Sequence, residues 1–254
     1  MTLTFRAKRL GATAISAAPR MLARKPQTGL RVLTYHSVGN RVDGDINDIY
    51  NMNSSEFEEH MATIVRFSTS HTLPLVSFGS DSTNGIAITF DDGYSDVLET
   101  VAPILSRHQI PFHVFITPTK LTSGDPRYLT TQQLKELTLN PLVSVGAHGY
   151  EHRPLTHMSA HDAEHDLRRS REALQEILQR EVTTMSYPFG MVDQNVRDAA
   201  SRAGFVKAAC STWGFNLAKT DPLMLRRIDM WARDRRSTVV DKLSGNWNWF
   251  ARLT

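Results

Sequence analysis

Three short polar stretches hold the residue types that bond-breaking chemistry needs. The first is Thr89-Phe90-Asp91-Asp92-Gly93-Tyr94, in which two adjacent carboxylates close an apolar run. Paired carboxylates at the end of a buried strand are costly unless something cationic balances them. The second is Gly146-Ala147-His148-Gly149-Tyr150-Glu151-His152, with two imidazoles four residues apart. That spacing puts both on one face of a helical turn. Neutral imidazole is the commonest metal ligand, and two imidazoles with one carboxylate leave a position open for water or substrate. The third, Ser186-Tyr187-Pro188-Phe189-Gly190, is a tight turn that can aim a backbone N–H at a ligand oxygen. Singly, each stretch also reads as plain structure: a capped strand end, a chance pair among ten histidines, a turn. His157, His161 and His165 repeat the four-residue spacing, but they fall in or beside a charged amphipathic stretch where solvated side chains are expected.

Bringing three such stretches to one place requires a fold in which strand ends converge. Residues 30–36, 85–90, 111–116, 143–146, 183–187, 206–209 and 225–228 read as strands. Helical spacing covers 95–108, a helix opened by Thr130, 159–180 with Leu167, Leu174, Ile177 and Leu178 on one face, and 193–203. Ser55 reads as the N-cap of a further helix, with Glu58 completing a capping box. Strands alternating with helices imply right-handed βαβ units and a parallel sheet. About seven strands suit an α/β fold of the (β/α) barrel kind in one domain. In a barrel the C-terminal strand ends share one face, so the carboxylate pair, the histidine pair and the oriented N–H meet in one cleft. A mononuclear metal site with a spare carboxylate suits hydrolysis of an amide or ester.

Composition bounds the remaining options. The chain has 254 residues, 41% hydrophobic and 22% charged, which excludes disorder, collagen and coiled coil. Its longest apolar run falls far short of the ~20 residues of a spanning helix. The single cysteine, Cys210, cannot form an internal disulfide and reads as a small buried hydrophobe. Residues 1–30 contain Arg6, Lys8, Arg9, Arg20, Arg24 and Lys25 and no acid; without these six cations the net charge of +3 becomes −3. Net charge therefore implies no nucleic-acid partner. The chain divides into a basic leader, 1–29, and a body, 30–254, ending in a helix. The leader reads as a loosely docked segment, a helix on a membrane surface or an export signal. The Trp-rich stretch 243–250 is expected to pack on the barrel, with a membrane-surface or partner contact as the alternative. Trp213 and Phe215 fit either a sugar-stacking or a core role. Leader and tail together tilt the expected location toward the cell envelope or membrane rather than the cytoplasm.

Taken in order, TFDDGY, AHGYEH and YPFG resemble the polysaccharide deacetylases of carbohydrate esterase family four, over roughly residues 30–230. The resemblance implies a distorted (β/α) barrel. Carried over by position, it implies Asp91 as catalytic base and Asp92, His148 and His152 as ligands of a divalent metal. Zinc is favoured for such Asp/His ligation. The backbone N–H of Phe189 is implied as the oxyanion donor. Two departures stand out. Many members carry an Arg before Pro-Tyr-Gly, where this chain has Met185-Ser186-Tyr187-Pro188-Phe189, and no His follows His165. Both are similar to a subgroup that deacetylates the exopolysaccharide poly-N-acetylglucosamine. In that subgroup an early motif resembling Leu33-Thr34-Tyr35-His36-Ser37-Val38 supplies the acid, and a late Arg orients the base. The resemblance thus implies His36 as general acid and Arg227 as partner of Asp91, with Arg226 as its rival. The implied reaction removes N-acetyl groups from an acetylated amino-sugar glycan. Two alternatives stay open: a catalytically weak carbohydrate-binding barrel, and a deacetylase or amidohydrolase acting on a small or lipid-linked substrate.

Overall fold

In the computed structural model, which describes residues 27–45 and 47–252, the apolar runs become strands that pair in parallel. The basic leader lies outside the described residues as far as residue 26. Strand β1 (Leu30–Tyr35) leads through a small parallel ribbon, β2 (Ser37–Val38) and β3 (Asn51–Met52), into helix α1 (Ser54–His71). Next come β4 (Gly85–Phe90), a π-helical turn (Val97–Val101) running into α2 (Ala102–Arg107), β5 (Phe112–Ile116), α3 (Pro118–Leu121) and α4 (Thr131–Leu137). The chain continues with β6 (Val143–Ala147), α5 (Ala160–Leu178), β7 (Thr184–Ser186), α6 (Gln194–Arg202), β8 (Lys207–Trp213), β9 (Leu225–Asp229) and α7 (Arg236–Ser244). Strands β1 and β4 to β9 form a closed seven-stranded barrel, with β9 pairing back onto β1. The expected α/β barrel is thus observed. It is distorted where β6 and β7 share a single paired position and where the β8–β9 register shifts between Ala209 and Trp213.

Local chemistry explains most boundaries, with one shift. The cap of α1 is Asn53, not Ser55. The Asn53 side chain accepts the Glu56 N–H, and the Glu56 carboxylate accepts the Asn53 N–H. The capping box therefore sits two residues earlier than the sequence suggests, because Asn is at least as good a cap as Ser and starts the buried stripe at Phe57 in phase. Thr130, Ser159 and Asp193 cap α4, α5 and α6 as their side chains require.

Side chains alternate across a strand, so every second residue of each barrel strand points inward. Leu30, Val32, Ala87, Phe115, Ala209 and Leu225 form an apolar interior plug with Phe78. The opposite parity, including Leu33, Tyr35, Ile88, Phe90, Val114 and Ile116, packs into the core shared with the helices. Following the inward parity to the C-terminal strand ends gives His36, Asp91, His148, Ser186, Arg227 and Asp229. The barrel mouth is lined by polar groups because the plug below has already sealed the interior.

The tail packs on the barrel. Trp247 and Phe250 stack against Trp213 and Trp231, and Trp249 stays 47% exposed. Trp213 and Phe215 are buried, which places them in the core rather than on a sugar-binding surface. Buried Lys242 lies 3.8 Å over the Trp231 ring and donates to the Asp229 carbonyl at 2.7 Å and to the Asp234 carboxylate. Among the described residues no helix is long and apolar enough to cross a membrane.

Halfway up the barrel, His113 Nε2 meets Thr184 Oγ1 at 2.9 Å, and burial pushes the His113 imidazole down to about 3. Gly146 passes beside this pair. A Cβ there would come within 2.7 Å of His113 Nε2 and of Thr184 O and Oγ1. Gly146→Ala is expected to destabilise the fold by about 1–3 kcal/mol through overpacking. Chemical denaturation would read this as a lower midpoint, and an unchanged midpoint would show that the strands part there freely.

Candidate active site

Strand β4 ends at Phe90, and Asp91 extends it by donating its N–H to Tyr35 O at 3.1 Å. The Asp91 carboxylate thereby enters the barrel mouth, almost fully buried. Asp92 then leaves the strand direction with φ +73, a conformation that strains any residue but glycine. On the neighbouring wall His148 extends β6 by donating its N–H to Ile116 O at 2.8 Å. Residues 148–152 do not form the helical turn their spacing suggests; they are an open loop. The loop is pinned at Tyr150, whose N–H donates to Asp166 of α5 at 2.8 Å and whose carbonyl accepts from the Thr119 hydroxyl at 2.9 Å. His152 swings back with φ +55, and the two imidazole centroids come within 4.9 Å. A side-chain tether and backbone strain thus do what helical periodicity was expected to do.

The two histidines converge on Asp92. His152 Nε2 lies 3.0 Å and His148 Nε2 3.5 Å from Asp92 Oδ1. All three donor atoms fall within 4.8 Å of one another. Ligands held about 2.1 Å from a tetrahedral ion stand about 3.4 Å apart, so this set fits one divalent cation. The protonation state of His148 agrees. His148 Nδ1 meets the Ser186 carbonyl at 2.9 Å; a carbonyl only accepts, so Nδ1 carries the proton and the Nε2 lone pair faces Asp92. Burial pushes the His148 imidazole down to about 4, which keeps it neutral. Burial would raise the Asp92 carboxyl, but the His152 hydrogen bond and the neighbouring imidazoles hold it well below the usual range.

Asp91 stands beside this triad without joining it. Its Oδ1 accepts from Arg227 Nη1 at 2.8 Å and from Ser186 Oγ at 3.3 Å. Its Oδ2 is turned toward the imidazoles, 3.9 Å from His148 Nε2. Burial pushes the Asp91 carboxyl up, but the Arg227 guanidinium overrides it and the net shift is downward. Arg227 is itself buried, and its Nε donates to the Cys210 carbonyl at 3.0 Å. Arg226 has the opposite parity in β9 and is exposed; only its backbone bonds to Asn216. Ser186 is a residue that sequence reasoning passed over. Its hydroxyl lies 2.6 Å from His148 Nδ1 and also reaches Asp91, which ties the His148 imidazole to the neighbouring carboxylate. The available signals were its inward parity with Thr184 and its place where a family Arg was expected.

Two further residues border the site. His36 is half-buried with its ring against Tyr50 at 4.4 Å, and Tyr50 donates to Asp229 at 3.3 Å. His36 Nδ1 is buried and finds no hydrogen-bond partner among the described residues. Phe189 adopts φ +59 inside a single 3-10 turn. The turn closes through Gly190 N–H to Tyr187 O at 2.7 Å and Met191 N–H to Pro188 O at 3.3 Å, a pattern that does not use the Phe189 N–H. Only glycine fits at 190, since a Cβ would overlap the Ser211 hydroxyl. The Phe189 ring is 56% exposed and lies 4.6 Å from His152. His157, His161 and His165 are exposed, and Cys210 is buried with its Sγ 3.4 Å from the Leu225 carbonyl.

The family model for polysaccharide deacetylase matches residues 79–208. Over 182 residues the chain is 24% identical to the putative polysaccharide deacetylase YxkH of Bacillus subtilis. That alignment covers 69% of this chain but 62% of the relative, so the chain spans less than two-thirds of that protein's length. The deacetylase PplD of Streptococcus pyogenes, solved in complex with acetate, superposes with a TM-score of 0.73 at 17% identity, covering 86% of this chain and 99% of that one. A de-N-acetylase from Aggregatibacter actinomycetemcomitans gives 0.68 at 17% identity, with 84% and 99% covered. At these identities the structural likeness is one of fold.

Two substitutions probe the support of Asp91. Arg227→Ala leaves a buried carboxylate without its cation and is expected to cost about 3–5 kcal/mol of stability, read as a lower unfolding free energy. Ser186→Ala is expected to weaken metal binding about 10-fold to 100-fold in a competition titration. Full affinity in that variant would mean that the Ser186 carbonyl alone orients His148.

Proposed function

The chain belongs to the polysaccharide deacetylase family, and on that basis we propose that it is a metal-dependent hydrolase removing N-acetyl groups from an amino-sugar glycan. The observation that carries this reading is the meeting of Asp92, His148 and His152 around one point, with the buried Asp91 carboxylate beside them and held apart by Arg227. The name of the Aggregatibacter relative, a de-N-acetylase, supports attack on an amide rather than an ester. A poly-N-acetylglucosamine type of exopolysaccharide is the proposed substrate class.

Asp92, His148 and His152 would hold a divalent cation, zinc by ligand preference, which when bound supplies Lewis acidity to the acyl carbonyl and the attacking water. The chain's own residues do the rest. Asp91 Oδ2 takes a proton from the water as its oxygen adds to the carbonyl carbon. Arg227 and Ser186 hold Oδ1, so Oδ2 is the oxygen left to act. The Phe189 N–H donates to the oxyanion that develops on the carbonyl oxygen. His36 gives a proton to the nitrogen as the carbon–nitrogen bond breaks. Water is consumed, and acetate and a free amine leave.

Acetate release from N-acetylglucosamine oligomers should stop on complete chelation and return on adding zinc. Asp91→Asn is expected to lower kcat by about 10²-fold to 10⁴-fold while metal content, measured by elemental analysis, stays intact. Undiminished turnover by verified metal-free protein would overturn the scheme.

A further inference from the structure

Strand β1 ends at Tyr35, so His36 stands just past the ladder, outside any strand. Its Nδ1 is buried without a hydrogen-bond partner among the described residues, and its ring lies 4.4 Å from that of Tyr50. The position of the imidazole therefore depends on how the backbone on either side is fixed. Both sides are fixed by one segment, residues 91–96. Before His36, Tyr35 O accepts the Asp91 N–H at 3.1 Å. After it, a single atom gathers the turn: Asp96 Oδ2 lies 2.5 Å from Ser37 Oγ and accepts the Val38 N–H at 3.1 Å and the Asn40 N–H at 3.0 Å. Asn40 Nδ2 adds a bond to Ser95 Oγ at 3.0 Å.

We propose that Asp96 is a positioning residue for the reaction, setting where the His36 imidazole stands relative to Asp91 and Asp92. The proposal rests on the reading of His36 as general acid given above and adds what holds that acid in place. The segment that carries the base and a metal ligand also clamps the residues flanking the acid, so the three groups share one frame.

The carboxylate has no other visible task. Asp96 directly precedes the π-helical turn, where an acidic side chain ordinarily caps the free N–H groups, yet it makes no side-chain cap bond. It is not a surface charge either, being almost fully buried, and its Oδ1 has no partner among the described residues. Burying a carboxylate with one oxygen unsatisfied is costly. Every bond made by the other oxygen goes to the 37–40 turn. Proton transfer to a departing nitrogen needs hydrogen-bond reach, and a displacement of about 1 Å can cost about 10²-fold. Asp96 acts through the turn, not on the reacting atoms.

Two substrates separate positioning from general support of the fold. Oligomers of N-acetylglucosamine release an amine whose nitrogen must gain a proton as the bond breaks, whereas 4-nitrophenyl acetate releases a phenolate that leaves without one. Asp96→Ala is expected to lower kcat for the amide about tenfold to 10²-fold, with ester turnover within about twofold of wild type and metal content unchanged by elemental analysis. Asp96→Asn keeps an acceptor oxygen for the turn and is expected to fall between the two. With Ser37→Ala it carries the same comparison if the alanine variant does not fold. In a His36→Ala background the Asp96 substitution is expected to cost nothing further on the amide, because its effect passes through that imidazole. Equal losses on amide and ester, additive losses in the double variant, or no loss at all would overturn the positioning role while leaving the deacetylase reading intact. If His36→Ala itself lowers amide and ester turnover equally, the acid reading fails and the positioning role with it.

Discussion

The buried pair between Arg227 and Asp91 is the interaction on which the site depends. Asp91 and Asp92 are neighbours in sequence, and two ionised carboxylates at one strand end repel each other and lose hydration. The fold separates their tasks by giving each its own partner. Asp92 faces two imidazoles, while Asp91 Oδ1 is held at 2.8 Å by a guanidinium from β9, on the far side of β1. A buried ion pair contributes little net stability after desolvation, so its value here lies in orientation. By occupying one carboxylate oxygen, Arg227 decides which oxygen of Asp91 faces the triad.

Holding these groups together needs strain, and the strain is local. Asp92, His152 and Phe189 all have positive φ without being glycine. Such conformations cost of order 1–3 kcal/mol each and persist only where the surroundings over-determine them. Here the surroundings are a closed barrel. Asp91 is fastened to β1, His148 to β5, and the 148–152 loop to Asp166 of α5. The apolar plug and the aromatic packing of the C-terminal segment on Trp213 and Trp231 supply the rigidity.

The mouth of the barrel is asymmetric about the Asp92, His148 and His152 cluster. Exposed apolar surface, from Phe189 and Met191, lies on the side of the β7–α6 turn. On the side of His36 the β2–β3 ribbon between β1 and α1 brings the Tyr50 ring against the imidazole. That ribbon is an insertion into the regular strand–helix alternation, and it gives the chain a wall that the barrel alone would not provide.

Much of this was legible in sequence. The seven apolar runs, their alternation with amphipathic stretches, and the polar residues closing three of them predict a barrel with Asp91, Asp92 and His148 at strand ends. These are local properties, because periodicity and strand termination are written in consecutive residues. What only tertiary structure decided is what depends on closure. Whether Arg226 or Arg227 faces inward turns on how β9 meets β8 across a register shift, which no local pattern records. His152 joins His148 through a loop tethered by a helix, not through the period of its own segment. Ser186 gains its contacts because β7 lies beside β6, and Tyr50 meets His36 because β3 pairs with β2. Sequence sets which side of a strand a residue shares with its second neighbour; only the closed barrel determines which side is the inside.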